Sequence, residues 1–402
     1  MSDSRTTAAS SANQDSQPIE ATSKQTAGAS RRRFLKGTAA TTAVGAGALA
    51  FPNVARGQVT WTMQAGWPTG DILWEYAQDL VRMMNEMSGG RLNVNLLPAG
   101  SVVGALELQD AVVGGALDGS HGVTAYWYGK NKAASLFGTP PGFGWNAHEF
   151  MGWMWYGGGQ ELYDELVQEI LGLNLVGFLY GPMPTQAFGW FAEPISSVDQ
   201  LSGLRYRTVG LAADLYEELG AAVTILGGPD IVPALDRGVI DAAEFNNPSS
   251  DRALGFQDVA KNWMLQSFHQ DCEVFEVSFN RDKYENLDDD LKAIIKYATY
   301  AAHANMAWMA QDRYPKDQRW LVEEAGVTLW KTPDSILQAQ LEAWDRVIER
   351  NSAENEFFAR VIESQRAWAR DVVGFMLVNE APKPMAYRHF FGEPPLPAQE
   401  VS

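Results

Sequence analysis

The sequence predicts an α/β protein of two lobes facing each other across a cleft, with a long C-terminal helix. Three stretches carry that expectation. Residues 233–248, PALDRGVIDAAEFNNP, read as a last helical turn, a left-handed cap at Gly238, a strand starting at Val239 and Ile240, and a polar ledge. The ledge is Asp241, Glu244, Asn246 and Asn247, after which Pro248 stops regular pairing. Residues 111–122, AVVGGALDGSHG, repeat the plan, setting Ala111 on Ala234, Gly115 on Gly238, Leu117 on Ile240 and Asp118 on Asp241. Each copy follows a strand-like run that breaks in small residues, 92–101 and 221–230, which makes two βαβ-type units. Helix, glycine, strand, aspartate is common grammar in α/β proteins, so the pattern alone leaves coincidence open. Finally, residues 335–378 form an almost uninterrupted apolar-periodic stretch, with a bend expected near Asn351.

In chain order, the opening is a targeting device. Residues 30–36, SRRRFLK, precede a weakly apolar run to Phe51 and small residues around Ala55 and Gly57, the pattern of a twin-arginine export signal cleaved near Gly57. The run is too short to span a bilayer. A basic patch on a cytosolic chain is the alternative.

From Val59, VTWTMQAGW alternates as a strand; Asp71 caps a helix over 72–87, with Leu73, Tyr76, Ala77, Leu80, Met83, Met84 and Met87 on one face. The first repeat follows and leads to Tyr126. Residues 134–144 are too rich in Pro and Gly for regular structure, 147–171 are helical with a break at Gly157, and 173–180 form a strand that delivers Gln186 to a lobe crossing. In LRYRTVG, 204–210, alternation puts Arg205 and Arg207 on one face. An arginine on a short strand is usually solvated, and one turned inward needs an anion; Glu244 and Gln186 are the polar groups expected near it. Residues 251–263 read as helix, 264–280 as a crossing strand, 288–324 as a helix interrupted at Pro315, and 326–333 as a strand. On 335–378 the stripe of Trp344, Val347, Phe357, Phe358, Val361, Trp368 and Phe375 is long enough to brace both lobes or pack on another subunit, and lying on its own domain fits the spacing equally well.

Composition excludes several classes. The chain carries −18 formal charges, and residues 1–57 hold seven Lys/Arg against three Asp/Glu, so removing them leaves about −22. Such a surface repels nucleic acid and anionic lipid. The single cysteine, Cys272, forbids an intramolecular disulfide, and the five histidines show no zinc spacing. No nucleophile elbow, Walker loop or dinucleotide fingerprint is present in the 402 residues, so catalysis has little to stand on. Fourteen tryptophans suit core packing first and an apolar-walled pocket second.

The stretches MSGGRLNVNLLPAGSVV, LDGSHGVTAYWYGK, LFGTPPGFG, YGGGQELYDEL, LSGLRYRTVG and GVIDAAEFNNPSSDRALGF, in this order from Trp61 to Phe391, resemble the solute-binding subunits of TRAP (tripartite ATP-independent periplasmic) transporters. The similar subgroup binds 2-oxo acids and related monocarboxylates. The resemblance implies a two-lobe periplasmic-binding-protein-like fold that closes on its ligand: residues 1–57 as signal region, 58–184 and 273–315 as N-terminal lobe, 185–272 and 316–334 as C-terminal lobe, and 335–402 as long helix and tail, the segment through which a homodimer would form. It implies that Arg207 grips the substrate carboxylate, with Gln186, Tyr126, Asn246 and Phe245 around it. It implies too that a metal ion, Na⁺ or Ca²⁺, is held by Glu244, Gln186, the carbonyl of Phe245 and Gln270. At 245 the subgroup usually has Trp; Asn246 and Asn247 replace small or apolar residues; and SFHQDC, 267–272, departs from the usual pattern, which leaves His269, Asp271 and Cys272 without a role. An all-oxygen set suits a hard cation and suits zinc poorly.

The function expected is thus a periplasmic receptor delivering a small carboxylate to TRAP permease subunits, without catalysis. A secreted metal-dependent enzyme using Glu244 or His121, and a ligand-sensing module, are the alternatives.

Overall fold

The computed structural model describes residues 57–396 and 398–401, so the twin-arginine stretch lies outside the described residues. Among the described residues twelve strands build two sheets. The first has the order β2-β1-β3-β10-β4, from β1 (Val59–Ala65), β2 (Leu92–Leu97), β3 (Gly119–Gly122), β4 (Leu175–Met183) and β10 (Glu273–Asn280). The second runs β12-β11-β9-β5-β8-β6-β7, from β5 (Gly189–Phe191), β6 (Arg205–Arg207), β7 (Ala222–Thr224), β8 (Ala242–Ala243), β9 (Asn262–Met264), β11 (Thr328–Lys331) and β12 (Gln399–Glu400). The chain passes between the sheets three times: over 184–188, over 265–272, and along the 35-residue helix Asp289–Glu323.

The internal repeat is geometrical as well as sequential. Parallel β1 and β3 pair Met63 with Gly119 and Gln64 with Ser120; parallel β6 and β8 pair Tyr206 with Ala242 and Arg207 with Ala243. In both copies the aspartate clamps the neighbouring strand: Thr62 N donates to Asp118 Oδ2 at 2.6 Å, and Arg205 N donates to Asp241 Oδ2 at 3.0 Å. Gly115 and Gly238 take φ of 77° and 65°, which the turn between helix and strand demands and a side chain resists. The second strand starts three residues later than expected, at Ala242. Val239 is 53% exposed and Ile240 is buried in the turn, because the aspartate has to complete its clamp before pairing begins at Ala242.

Helix Ile72–Met87 forms as expected, with Asp71 accepting from Leu73 N at 3.0 Å. Other expectations need correction. Strand pairing does stop before Pro248, but a helix follows at once: Asn247 caps Pro248–Leu254, in which proline takes the first position where no N–H is needed. That helix, the short turn Phe256–Val259 and β9 replace the single helix expected over 251–263, since Gly255 adopts φ 87° and breaks it. Residues 132–137 wind as a tight helical turn within the expected loop, and the crossing strand over 264–280 divides into β9 and β10.

Pro315 does not interrupt its helix. Before it, Asn305 Nδ2 reaches Asp79 Oδ2 at 2.6 Å, and Tyr76 OH meets Tyr314 OH at 3.3 Å. Beyond it, Asp317 accepts from Ser249 Oγ at 2.5 Å and from Arg252 Nη1 at 2.6 Å, so both halves are pinned and the missing backbone bond is tolerated. This helix therefore braces both sheets, a role expected of 335–378. The latter is two helices, Asp334–Glu354 and Glu356–Asn379, broken at Asn355 and not at Asn351, whose side chain is instead buried against Val347 O and Asp214. Asn355 leaves the helical conformation to cap the second helix through Phe358 N at 3.1 Å. Both apolar cores draw on elements of both sheets: one joins Leu136, Trp153, Leu215, Trp344 and Phe358, the other Met63, Leu80, Ile295, Trp263 and Leu329.

Candidate functional site

β6 carries two arginines of opposite fate. Arg205, at the strand's start, is exposed and forms an ion pair with Asp241. Arg207, two residues on, is 1% exposed, and its Nη1 lies 3.0 Å from Glu244 Oε1, a carboxylate equally buried. Pairing and burial occur together because an isolated charge in that position costs several kcal/mol. The guanidinium also donates through Nε and Nη2 to Leu226 O, at 3.0 and 2.7 Å, and through Nη1 to Glu244 O at 3.0 Å. An incoming carboxylate would have to compete with Glu244 for Nη1 to be held by two parallel bonds. The ring of Phe245 stacks 5.7 Å from the guanidinium carbon, in a space that Gly228 keeps open: a Cβ there would come within 2.7 Å of the ring.

Glu244 follows β8, so the repeat's register lifts it from the strand end toward Arg207. Burial pushes its carboxyl up to about 6 although the arginine opposes the shift, so it is mostly ionised at neutral pH. Among the described residues Glu244 Oε2, Gln186 Oε1 and both amide atoms of Gln270 have no hydrogen-bond partner, although the Thr208 hydroxyl lies close enough to Glu244 to draw its carboxyl down. All three side chains are almost fully buried. Gln186 and Gln270 sit on the two crossing segments, tied by Gln186 N donating to Gln270 O at 3.1 Å. Buried oxygens left unmatched are costly, and a carboxylate with two amide oxygens is the donor chemistry that suits a hard cation. Among the described residues no three His, Cys, Asp or Glu side chains converge as a metal site, so a cation here would need amide and carbonyl oxygens beside the Glu244 carboxylate.

Sequence reasoning missed Glu273. It opens β10, is 3% exposed, and its Oε2 accepts from Gln186 Nε2 at 2.7 Å and Asn246 Nδ2 at 2.6 Å. Burial raises its carboxyl to about 8, with Gln186 pulling the other way. A signal was there: Glu273 and Glu276 interrupt an otherwise apolar strand run, EVFEVSFN, and a carboxylate in a fully buried strand needs a dedicated partner. Glu276 finds Tyr163 OH. Asn246 is held on both ends, its Oδ1 accepting from Asn247 Nδ2 at 2.6 Å. Tyr126 reaches in from the first-sheet side, where burial raises its hydroxyl and the charges of Arg207, Glu273, Glu244 and Asp71 all act on it.

Two more acids lie nearby. Asp71, beyond capping its helix, accepts from Ser250 Oγ across the sheets, and burial lifts it to about 6; Asp251, bonded by Trp190 Nε1 at 2.7 Å, is lifted by burial to about 7.

Neither His121 nor His269 offers a catalytic base. His121 is sealed between Trp67 Nε1, which donates to its Nδ1 at 2.8 Å, and Tyr180 OH, and burial drops it to about 3. His269 Nδ1 is 2.6 Å from Ser267 Oγ, but that hydroxyl donates to Gln340 Oε1 at 3.1 Å, so it receives the imidazole proton and is not activated. Thr185 Oγ1 donates to the carbonyl of Asp271 at 2.8 Å, and Cys272 is fully buried.

Residues 63–355 match the model of the bacterial extracellular solute-binding proteins, family 7. The chain is 29% identical over 333 residues to the monocarboxylate 2-oxoacid-binding periplasmic protein of Nostoc sp., covering 83% of this chain and 89% of that protein. A TRAP transporter solute binding protein from Bordetella bronchiseptica, a mixed-occupancy dimer with copurified calcium and picolinate, superposes with a TM-score of 0.78 at 26% identity over 83% of this chain and 98% of that one. A TRAP periplasmic solute binding protein from Pseudoalteromonas atlantica, with bound sodium and pyruvate, gives 0.76 at 27% identity over 83% and 99%. The model match spans most of the described chain, and the protein belongs to family 7 of the bacterial extracellular solute-binding proteins.

Proposed function

We propose that the protein is the extracytoplasmic receptor of a TRAP transporter, closing on a small 2-oxo or 2-hydroxy monocarboxylate together with a sodium or calcium ion and handing the acid to membrane permease subunits. The observation that carries this reading is the buried Arg207 beside the unmatched oxygens of Glu244, Gln186 and Gln270. Arg207 binds the ligand carboxylate, taking Nη1 back from Glu244. Glu244, Gln186, Gln270 and the Phe245 carbonyl hold the cation, whose chemistry is to bridge protein and ligand oxygens. Tyr126 and Phe245 wall the ligand, and Asn246 supports the ledge. The ligands named for the Bordetella and Pseudoalteromonas proteins favour a planar monocarboxylate with a second donor next to the carboxyl carbon.

The lobes divide at the crossings, with 58–184 and 273–315 forming one and 185–272 and 316–334 the other, Pro315 being the weak point of the brace between them. Residues 1–57 direct twin-arginine export to the periplasm. Residues 335–402 contribute a homodimer contact: Phe375, Leu377, Val378, Met385, Phe390 and Phe391 are 62–84% exposed, a density of apolar side chains that water does not favour.

Against an enzyme stand the sealed His121 and the unactivated Ser267. Calorimetric titration with pyruvate, with calcium, sodium or chelator present, tests the reading: it predicts cation-dependent binding without turnover.

A further inference from the structure

A cation held by Gln186 requires the amide oxygen, not the amide NH₂, to face it. The two ends of an amide are nearly the same size, so packing does not choose between them and hydrogen bonding must. Resting on the cation reading above, we propose that Glu273 is the positioning residue that makes this choice, anchoring the NH₂ groups of Gln186 and Asn246 and turning Gln186 Oε1 to the ion.

The geometry is specific. Glu273 Oε2 accepts from Gln186 Nε2 at 2.7 Å and Asn246 Nδ2 at 2.6 Å, in a place where the glutamate is 3% exposed and water offers little competition. With its NH₂ committed there, Gln186 presents Oε1 elsewhere, and that oxygen is buried with no partner among the described residues. With Glu273 ionised, as a neighbouring cation favours, a flipped amide would set oxygen against oxygen at 2.7 Å and aim N–H bonds at a cation.

The orientation is relayed from a helix end. Asn247 Oδ1 accepts from Ser249 N and Ser250 N, both at 3.0 Å, which fixes its own amide; its Nδ2 then donates to Asn246 Oδ1 at 2.6 Å, leaving Asn246 Nδ2 for Glu273. Each amide in the series has one possible sense once the helix cap is set. Backbone N–H groups at 249 and 250 thus determine, through Asn247, Asn246 and Glu273, which atom Gln186 offers. The relay joins the ledge after β8 to both crossing segments, so it is complete only when these three parts meet.

The acceptor role does not need a charge, because a glutamine at 273 keeps one acceptor oxygen, whereas a leucine keeps none. The test is the calcium dependence of pyruvate binding, followed by calorimetry in wild type, Glu273→Gln and Glu273→Leu, with circular dichroism to verify folding. Loss of an orienting partner typically weakens metal binding about 10–100-fold, so Glu273→Leu is expected to need about that much more calcium, with Glu273→Gln staying within about threefold of wild type. A leucine variant that keeps wild-type calcium dependence overturns the proposal, as does a glutamine variant as impaired as leucine, which would assign the effect to charge. Wild type that ignores both calcium and chelator would sink the cation reading itself, before any variant is compared. Because leucine at 273 leaves two buried amides without their acceptor, a cost to the fold itself, side-chain amide NMR of wild type gives a second check. The Gln186 NH₂ protons, assigned with Gln186→Leu, should stay protected from exchange when calcium and pyruvate are added; losing that protection would show the amide released from Glu273.

Discussion

Arg207 and Glu244 lie at 1% exposure, 3.0 Å apart, and each is affordable only because of the other. Breaking a buried pair by removing one partner costs about 3–5 kcal/mol, whereas replacing both by apolar residues is often neutral. Arg207→Leu should therefore lower the unfolding free energy by about that amount in urea denaturation, and Arg207→Leu with Glu244→Leu should recover most of the loss while pyruvate binding stays absent in both. A single variant as stable as wild type would mean the pair is not closed in solution. The inward turn of Arg207 was legible in advance, since a short strand with an arginine and a nearby acidic ledge has few ways to satisfy both. Glu273 was not, because its role depends on two amides that reach it from 87 and 27 residues away.

Among the elements, those set by local chemistry were the readable ones. Asp71 with its capped helix and the glycine turns of the repeat follow from backbone conformation alone. Elements decided by tertiary contact were misplaced: the Asp289–Glu323 helix runs through Pro315 because Asp317 is pinned by Ser249 and Arg252, and the C-terminal stretch breaks at Asn355 because that residue caps the next helix. Phe357, Phe358, Val361 and Ile362 are buried, so the helix from Glu356 is core for its first two turns and exposed only toward its end. Truncation after Asn379 should leave the fold intact and, if the exposed apolar end is the dimer contact, convert a dimer to a monomer by light scattering. A truncated chain with the wild-type oligomeric mass would contradict that role.

At the scale of the whole molecule, the acids buried between the sheets set the pH response. Burial raises Asp251 to about 7 and Glu273 and Glu276 to about 8. The folded state thus binds these protons more tightly than the unfolded chain, so the stability they contribute is full below the ordinary carboxyl range and is lost as pH rises through 7 and 8. His121, His269 and His303, lowered by burial to about 3, 3 and 4, act oppositely, but mainly below the ordinary histidine value. Between pH 6.5 and 8.5 the carboxyl groups outweigh what remains of the histidine titration, and the Tm of the unliganded protein should fall across that window; a Tm that rises would contradict the buried-acid account. The two-lobe plan was visible in the duplicated helix, glycine and aspartate pattern, while the sharing of both apolar cores between the sheets was not, because those contacts join residues far apart in the chain. The central claim is that this buried arginine and its oxygen-rich surroundings take up a carboxylate with a cation. Isothermal titration of the folded protein with pyruvate tests it most directly. One pyruvate per chain, bound in the presence of calcium or sodium and at least about tenfold more weakly under chelator in a sodium-free buffer, is the predicted result. Equal affinity with and without the ion, or no heat of binding in either, would contradict it.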